Sequence, residues 1–392
     1  MTKRFIGVIV GALAAASFLA ADVEHPAPAI PQEKIAAIET EIAGLMARRR
    51  IPGLSIAVVV DGRLAWSEGY GWADVENAIP AEPTTAFRIA SVSKAITAVA
   101  VMQLAERGAL DLDAPVQRYV PTFPEKPWPV TLRQLLGHLG GIRNYRADDF
   151  GGQPDNADPY ASLTDALAVF KDDPLDQEPG TRYSYTTFGY TLLGAALEGA
   201  SGSGFAAYMR EHVFEPAGMG QTRIDSPYDL IARRARGYTL LGVREKWAGR
   251  PPTGPLRNCD FLDASYKLPG GGLVSTAEDL ARFAVALGSG VLVRRETFEA
   301  MSTRQRTRSG EDTPYGLGWY VEGIEGHTGV VWHGGVQKGV TSTLYLVPRD
   351  HFAVAILTNL EGGLYLGLEA LAGRIGDIVT RPPPPSNPPG PS

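Results

Sequence analysis

The chain has 392 residues, with 37 Lys and Arg against 43 Asp and Glu, a formal net charge of -6 and 44% hydrophobic residues. These proportions describe a globular chain long enough for two domains, and an acidic balance without a basic surface argues against nucleic acid as a partner. A single cysteine, Cys259, excludes a disulfide framework and a thiolate metal cluster, while 45 Gly and 30 Pro exclude a coiled coil or helical solenoid.

At the N-terminus Lys3 and Arg4 precede an apolar run from Phe5 to Leu19, followed by Ala20, Ala21 and Asp22. This is the order of an export signal, so residues 1–21 are predicted to be a signal peptide and the protein to be exported, periplasmic or secreted; an uncleaved anchor is the alternative. The run is shorter than the roughly 20 residues that span a bilayer, so no stable membrane span is expected. Ile35, Ile38, Ile42, Leu45 and Met46 recur at helical spacing from Gln32 to Arg50, and Pro52-Gly53 stops that helix. Two β-rich runs, Leu54 to Val60 and Arg63 to Gly69, flank Asp61-Gly62 and predict a hairpin. Ala95 to Leu104 has only Thr97 and Gln103 as polar residues, which predicts a buried helix ending near Arg107-Gly108.

From about 108 to 270 loops rich in Pro and Gly alternate with short helical patterns, among them Ser162 to Phe170 and Tyr190 to Gly199. After Gly270-Gly271-Gly272, the run Ser275-Thr276-Ala277-Glu278-Asp279 has the chemistry of a capping box before Leu280, Phe283 and Leu287. Those glycines and Ser275 are read as turn-shaping and capping residues. Strand-like runs return at Tyr315 to Glu322, Val330 to His333, Val340 to Val347 and Phe352 to Thr358, and a last helical stretch covers about Leu364 to Val379. Strands at both ends around a helical middle predict an α+β fold in which one antiparallel sheet is assembled from both chain ends and flanked by helices. The domains read as a sheet domain at 30–100 and 271–380, a mainly helical inserted domain at 101–270, and a disordered tail at 381–392 with seven Pro in twelve residues. There is no internal repeat.

Ser91-Val92-Ser93-Lys94 is the only Ser-x-x-Lys in the chain. A serine at a helix start sits among unpaired backbone N–H groups that stabilise a developing oxyanion, and Lys94 falls on the same helical face. Burial of that lysine in an apolar helix would lower its pKa toward what a general base needs. The competing reading is that Ser91 or Ser93 caps the helix and Lys94 is solvated. No HExxH, no paired-His spacing and no dinucleotide glycine fingerprint occurs, so neither a metal nor a cofactor is expected.

The segment Phe87 to Thr97 resembles the nucleophile segment of the serine β-lactamase and penicillin-recognising peptidase superfamily, in its class C-like branch. The similarity continues through Leu110 to Val116 and Thr131 to His138 and covers nearly all of residues 32 to 380. The resemblance implies the β-lactamase/transpeptidase-like fold and an acyl-enzyme at Ser91, with Lys94 as base. Tyr185 and Thr187 align with the family's Tyr-x-Asn, which makes Tyr185 the relay to the leaving group and leaves Tyr183 and Tyr190 as packing. Thr187 departs from the Asn and offers a hydroxyl without an amide. His333-Gly334-Gly335 stands where the family has Lys-Thr-Gly; the glycines let substrate lie along the strand, His333 takes the place of a carboxylate-binding Lys, and Val336 N–H joins Ser91 N–H in the oxyanion hole. His138 and His327 are read as structural. The expected activity is cleavage of an amide or ester bond in a small-molecule or peptide substrate. The alternatives are a true β-lactamase and a non-catalytic binding or filament-forming protein, and a homo-oligomer is compatible with each.

Overall fold

Ile35, Ile38, Ile42 and Leu45 line the buried face of helix α1 (Gln32–Arg49), which ends where Arg50 turns left-handed ahead of Pro52. The computed structural model describes residues 30–146, 148–150, 156–242, 252, 254–324 and 327–380. The expected signal peptide at 1–21 and tail at 381–392 lie outside them. Strands β1 (Gly53–Val60) and β2 (Arg63–Asp74) form the expected hairpin. Asp61 and Gly62 both have positive φ, 51° and 70°, the condition a two-residue turn imposes when it matches strand twist.

With β3 (Ile79–Pro80), β4 (Tyr320–Ile324), β5 (His327–Gln337), β6 (Val340–Val347) and β7 (Phe352–Thr358) the hairpin makes one seven-stranded antiparallel sheet, in the order β3-β2-β1-β7-β6-β5-β4. The sheet therefore joins both chain ends through the β1/β7 pair. Strands β1, β6 and β7 at its centre are buried along both faces because both are covered, whereas β2 and β3 are partly or fully exposed. Leu54, Ile56 and Val58 of β1 share a core with α1 and with α5 (Leu368–Thr380), while Ala57 and Val59 belong to a second core with α2 (Val92–Glu106) and α4 (Ala277–Gly288). This second core runs on without a break into the inserted segment, through Leu192, Leu193 and Ala196 of α3 (Phe188–Ser201). Among the described residues no helix is long and apolar enough to cross a membrane.

Three local expectations are revised. Strand β5 does not stop at His333 but continues through both glycines to Gln337, paired along its length with β6. The strand expected from Tyr315 begins only at Tyr320, because Gly318 has a φ of 95° and lies so close to α2 that a Cβ there would be 2.3 Å from Ala98 Cβ. The cap of α4 is Thr276, whose side chain accepts from Asp279 N–H, whereas Ser275 is buried and bonded to Thr222.

Ile356 is fully buried in β7, between β1 and β6. Ile356→Ala is expected to lower the unfolding free energy by about 3 kcal/mol, read from urea denaturation, because neighbours held in two ladders relax little into the cavity.

Candidate active site

Residues 87–89 are fastened before the helix begins. Phe87 and Arg88 pair with Val274 and Ser275, and Ile89 N–H donates to Leu273 O at 3.0 Å. Ala90 then takes a left-handed φ of 46°, a costly conformation for a residue with a Cβ, and sets Ser91 at the first turn of α2. The Ser91 hydroxyl makes no capping bond, and Ser91 N–H has no acceptor among the described residues. The reading of Ser91 as a cap and Lys94 as solvated is therefore not the arrangement found.

Helix α2 is buried on all sides from Val92 to Leu104, which takes Lys94 fully out of water. Its Nζ lies 3.1 Å from Ser91 Oγ, 3.2 Å from Thr187 Oγ1 and 2.6 Å from Gly270 O. No carboxylate pairs with it among the described residues. Burial, and secondarily the charge of Lys267, holds its pKa well below the ordinary lysine value. Thr187 is fixed in turn by its N–H, which donates to Asn144 Oδ1 at 3.1 Å.

Tyr185 packs over Lys94, with the amine 4.9 Å from its ring centroid. Burial raises its pKa well above 10, and a side-chain hydrogen bond with Ser91 works against that rise. The ring is seated on His138, 4.3 Å between centroids, and stacks on Tyr320 at 6.3 Å. His138 follows the short helix Leu132–Leu136, begun by the Thr131 and Gln134 capping box, and turns left-handed at a φ of 57°. It accepts Thr186 N–H at Nδ1, 3.2 Å, and thus ties the tyrosine segment to that helix. Tyr190 is packing, as expected; it is fully buried and its hydroxyl donates to Leu136 O. The side chain of His327 lies outside the described residues.

Strand β5 supplies the opposite wall. Only Lys338 and Gly339 separate Gln337 from its partner Val340, so that pair exchanges both of its hydrogen bonds, as do the alternate pairs Gly335 with Ser342 and His333 with Leu344. Gly334 and Val336 consequently turn their N–H and C=O groups to the other edge, which β4 leaves open beyond Trp332. Gly335 is pressed against the nucleophile segment; a Cβ there would lie 2.3 Å from Ile89 O and 3.0 Å from Ser91 N. Ser91, Lys94, Tyr185, Thr187, Gly335 and Val336 thus meet in one place.

His333 has no exposed surface. Its Nδ1 bonds Gly334 O and its Nε2 bonds the Tyr315 hydroxyl, each at 2.8 Å. A carbonyl can only accept, so Nδ1 carries the proton and Nε2 accepts from Tyr315. Burial, then the nearby Lys94, pulls the His333 pKa down to about 3. The unfolded chain protonates this ring below about pH 6.5 and the folded chain does not, so its contribution to stability falls as pH drops from there toward 3. His333→Gln is expected to flatten that part of the curve, measured by urea midpoints between pH 7 and pH 4.

Several site residues were not singled out in the sequence. Gly270, read as turn-shaping, contributes its carbonyl to Lys94. Tyr315 and Tyr320 complete the aromatic wall around Tyr185 and His333. Asn144 orders Thr187. A backbone carbonyl carries no sequence signal, and the other three join the site only through tertiary packing.

The family model described as Beta-lactamase matches residues 38–372. The mitochondrial serine beta-lactamase-like protein LACTB of Bos taurus is 34% identical over 306 residues, 60% of this chain and 53% of that protein, so the chain spans about half the length of this relative. Among solved structures, the octameric penicillin-binding protein homologue from Pyrococcus abyssi is 30% identical, with a TM-score of 0.71 over 87% of this chain and 77% of that one. The D-amino acid amidase from Ochrobactrum anthropi, at 24% identity, has a TM-score of 0.75 over 88% and 98% of the two chains and shares the fold. These relatives correct one expectation: the assignment to an exported, periplasmic or secreted location is overturned by the mitochondrial relatives from cattle and humans. A basic start and an absence of acidic residues are not peculiar to export, since mitochondrial leaders are basic and poor in acids as well.

Proposed function

Because the chain belongs to the beta-lactamase family of serine hydrolases, we propose that it is an acyl hydrolase in which Ser91 forms the acyl-enzyme on an amide or ester substrate. The observation that carries this reading is the Lys94 amine, fully buried without a carboxylate and 3.1 Å from Ser91 Oγ. A neutral amine has two N–H groups and one lone pair. With the N–H groups directed at Gly270 O and Thr187 Oγ1, the lone pair is left for the Ser91 hydroxyl, the arrangement a general base requires.

In the first step Ser91 Oγ bonds to the substrate carbonyl carbon while its proton passes to Lys94 Nζ. The oxyanion accepts from the N–H groups of Ser91 and Val336. Tyr185, kept protonated by burial, gives its proton to the departing nitrogen or oxygen as the bond to carbon breaks, and the ammonium of Lys94 beside its ring restores that proton. Water then attacks the acyl-enzyme and Ser91 is released. With His333 neutral, a substrate carboxylate finds no cation at that position of the strand.

The test is the intact mass of the full chain after exposure to a fluorophosphonate, followed by turnover of D-amino acid amides, short-chain esters and a cephalosporin. A single adduct on Ser91 with amide or ester turnover is expected. Rapid deacylation of the cephalosporin alone would instead make the protein a true β-lactamase, and a folded chain without any adduct would make it a binding protein. The octameric relative motivates sedimentation of the same sample, where a species larger than 41.9 kDa would establish self-association.

A further inference from the structure

The two residues that flank Tyr185 are both bonded to a single residue far from them in the chain. Ser184 N–H donates to His138 O at 2.9 Å, and Thr186 N–H donates to His138 Nδ1 at 3.2 Å. The same imidazole packs against the Tyr185 ring, 4.3 Å between centroids, so His138 meets the tyrosine at its ring and at its backbone on either side. Two features oppose this contact. His138 has a φ of 57°, a left-handed conformation that glycine would take without strain. Its Nε2 is buried without a hydrogen-bond partner among the described residues. Burial, then the charges of Lys94 and His333, holds the His138 pKa well below the ordinary histidine value, so the ring is neutral. Since Nδ1 accepts, the proton is on the unpartnered Nε2. The rings of Tyr315 and Tyr190, with centroids at 4.6 and 5.3 Å, crowd the same space. A buried donor without an acceptor is unfavourable, and a phenylalanine would have none. Packing alone therefore does not account for a histidine here.

Resting on the acyl-hydrolase reading, we propose that His138 is a positioning residue that holds the Tyr185 phenol where it protonates the leaving group. The His138 carbonyl fixes the backbone before the tyrosine and Nδ1 fixes the backbone after it, which sets the direction of the Tyr185 Cα–Cβ bond. The imidazole then limits where the ring can turn about that bond. Thr187 is held separately by Asn144, so loosening Tyr185 does not release the contact between Thr187 and Lys94. A displaced phenol leaves Ser91 and Lys94 able to attack, and the loss falls on substrates whose leaving group needs the proton of Tyr185.

Two esters of one acid, p-nitrophenyl butyrate and ethyl butyrate, test the proposal through kcat/KM, into which deacylation does not enter. p-Nitrophenolate leaves as an anion, whereas ethoxide must be protonated as it departs. Tyr185→Phe is expected to lose about a hundredfold on the ethyl ester and little on the other. His138→Phe keeps a ring but loses the Nδ1 acceptor, and is expected to lose about tenfold on the ethyl ester alone, as a misplaced group would. His138→Asn tolerates the left-handed φ and offers an acceptor oxygen in place of Nδ1, and is expected to recover most of that loss. In the Tyr185→Phe background, adding His138→Phe should lower the rate no further. Because the readout is a ratio of two esters within one preparation, partial loss of folded protein cancels. Four results would overturn the proposal while leaving Ser91 as the nucleophile: equal losses of His138→Phe on both esters, a loss that persists without the Tyr185 hydroxyl, a Tyr185→Phe that spares the ethyl ester, or a His138→Asn no better than His138→Phe. Absence of fluorophosphonate labelling on folded wild type removes the acyl-hydrolase reading, and this proposal with it.

Discussion

Ser91→Ala is expected to lower kcat/KM for any ester or amide the protein turns over by about 10^4-fold or more, and to abolish the fluorophosphonate adduct. The size follows from losing the only group that bonds covalently to substrate, with the oxyanion donors left intact to give a residual rate. The fold is not expected to change. Ser91 makes no side-chain capping bond, and its φ of -67° and ψ of -9° are open to alanine. The urea midpoint should therefore stay close to that of the wild type. Turnover or an adduct that survives in Ser91→Ala would place the nucleophile elsewhere.

Lys94→Met should cost about a thousandfold in kcat/KM, within the range that general-base catalysis supplies. Its effect on stability has two opposing parts. Methionine leaves Gly270 O without its donor, at about 1–3 kcal/mol, and removes the cost of holding an amine deprotonated in the folded state. Stability at pH 7 should change little, and the diagnostic is its slope with pH. The folded-state pKa of Lys94 is depressed, whereas the unfolded chain keeps this proton up to about pH 10.4. Between those limits the unfolded state binds more protons, so the wild type gains stability from this group as pH rises, and Lys94→Met should lose that part of the slope. In the wild type kcat/KM should climb as Lys94 deprotonates and then stay level, because Tyr185 titrates well above 10 and remains an acid. A falling limb between pH 7 and 9, or a rise that persists in Lys94→Met, would contradict the assignment.

How far the site was legible in the sequence depends on the kind of group. Ser91 and Lys94 were singled out because a fixed spacing on one helix is a local property, and Tyr185, Thr187 and the His333 to Val336 strand because they lie in segments that resemble the family's. Gly270, Asn144, Tyr315 and Tyr320 were not, since nothing local separates a tyrosine that only packs from one that bonds a buried histidine beside the site. His333 was read as a strand-end residue. In mid-strand it is dehydrated and bonded at both nitrogens, and that turns a prospective cation into a neutral ring.

By itself the sequence determined the elements whose cause is near in the chain: the α1 periodicity, the Asp61-Gly62 turn, the apolar α2 and the antiparallel sheet implied by strands at both ends. The tertiary structure alone decided where β4 begins and how far β5 continues, that Thr276 rather than Ser275 caps α4, and which polar groups lose water. Helix spacing and turn chemistry are set by a few neighbouring dihedrals and side chains. Burial is set by segments far apart in the chain, and it is burial that moves Lys94, Tyr185 and His333 toward the protonation states the proposed chemistry requires.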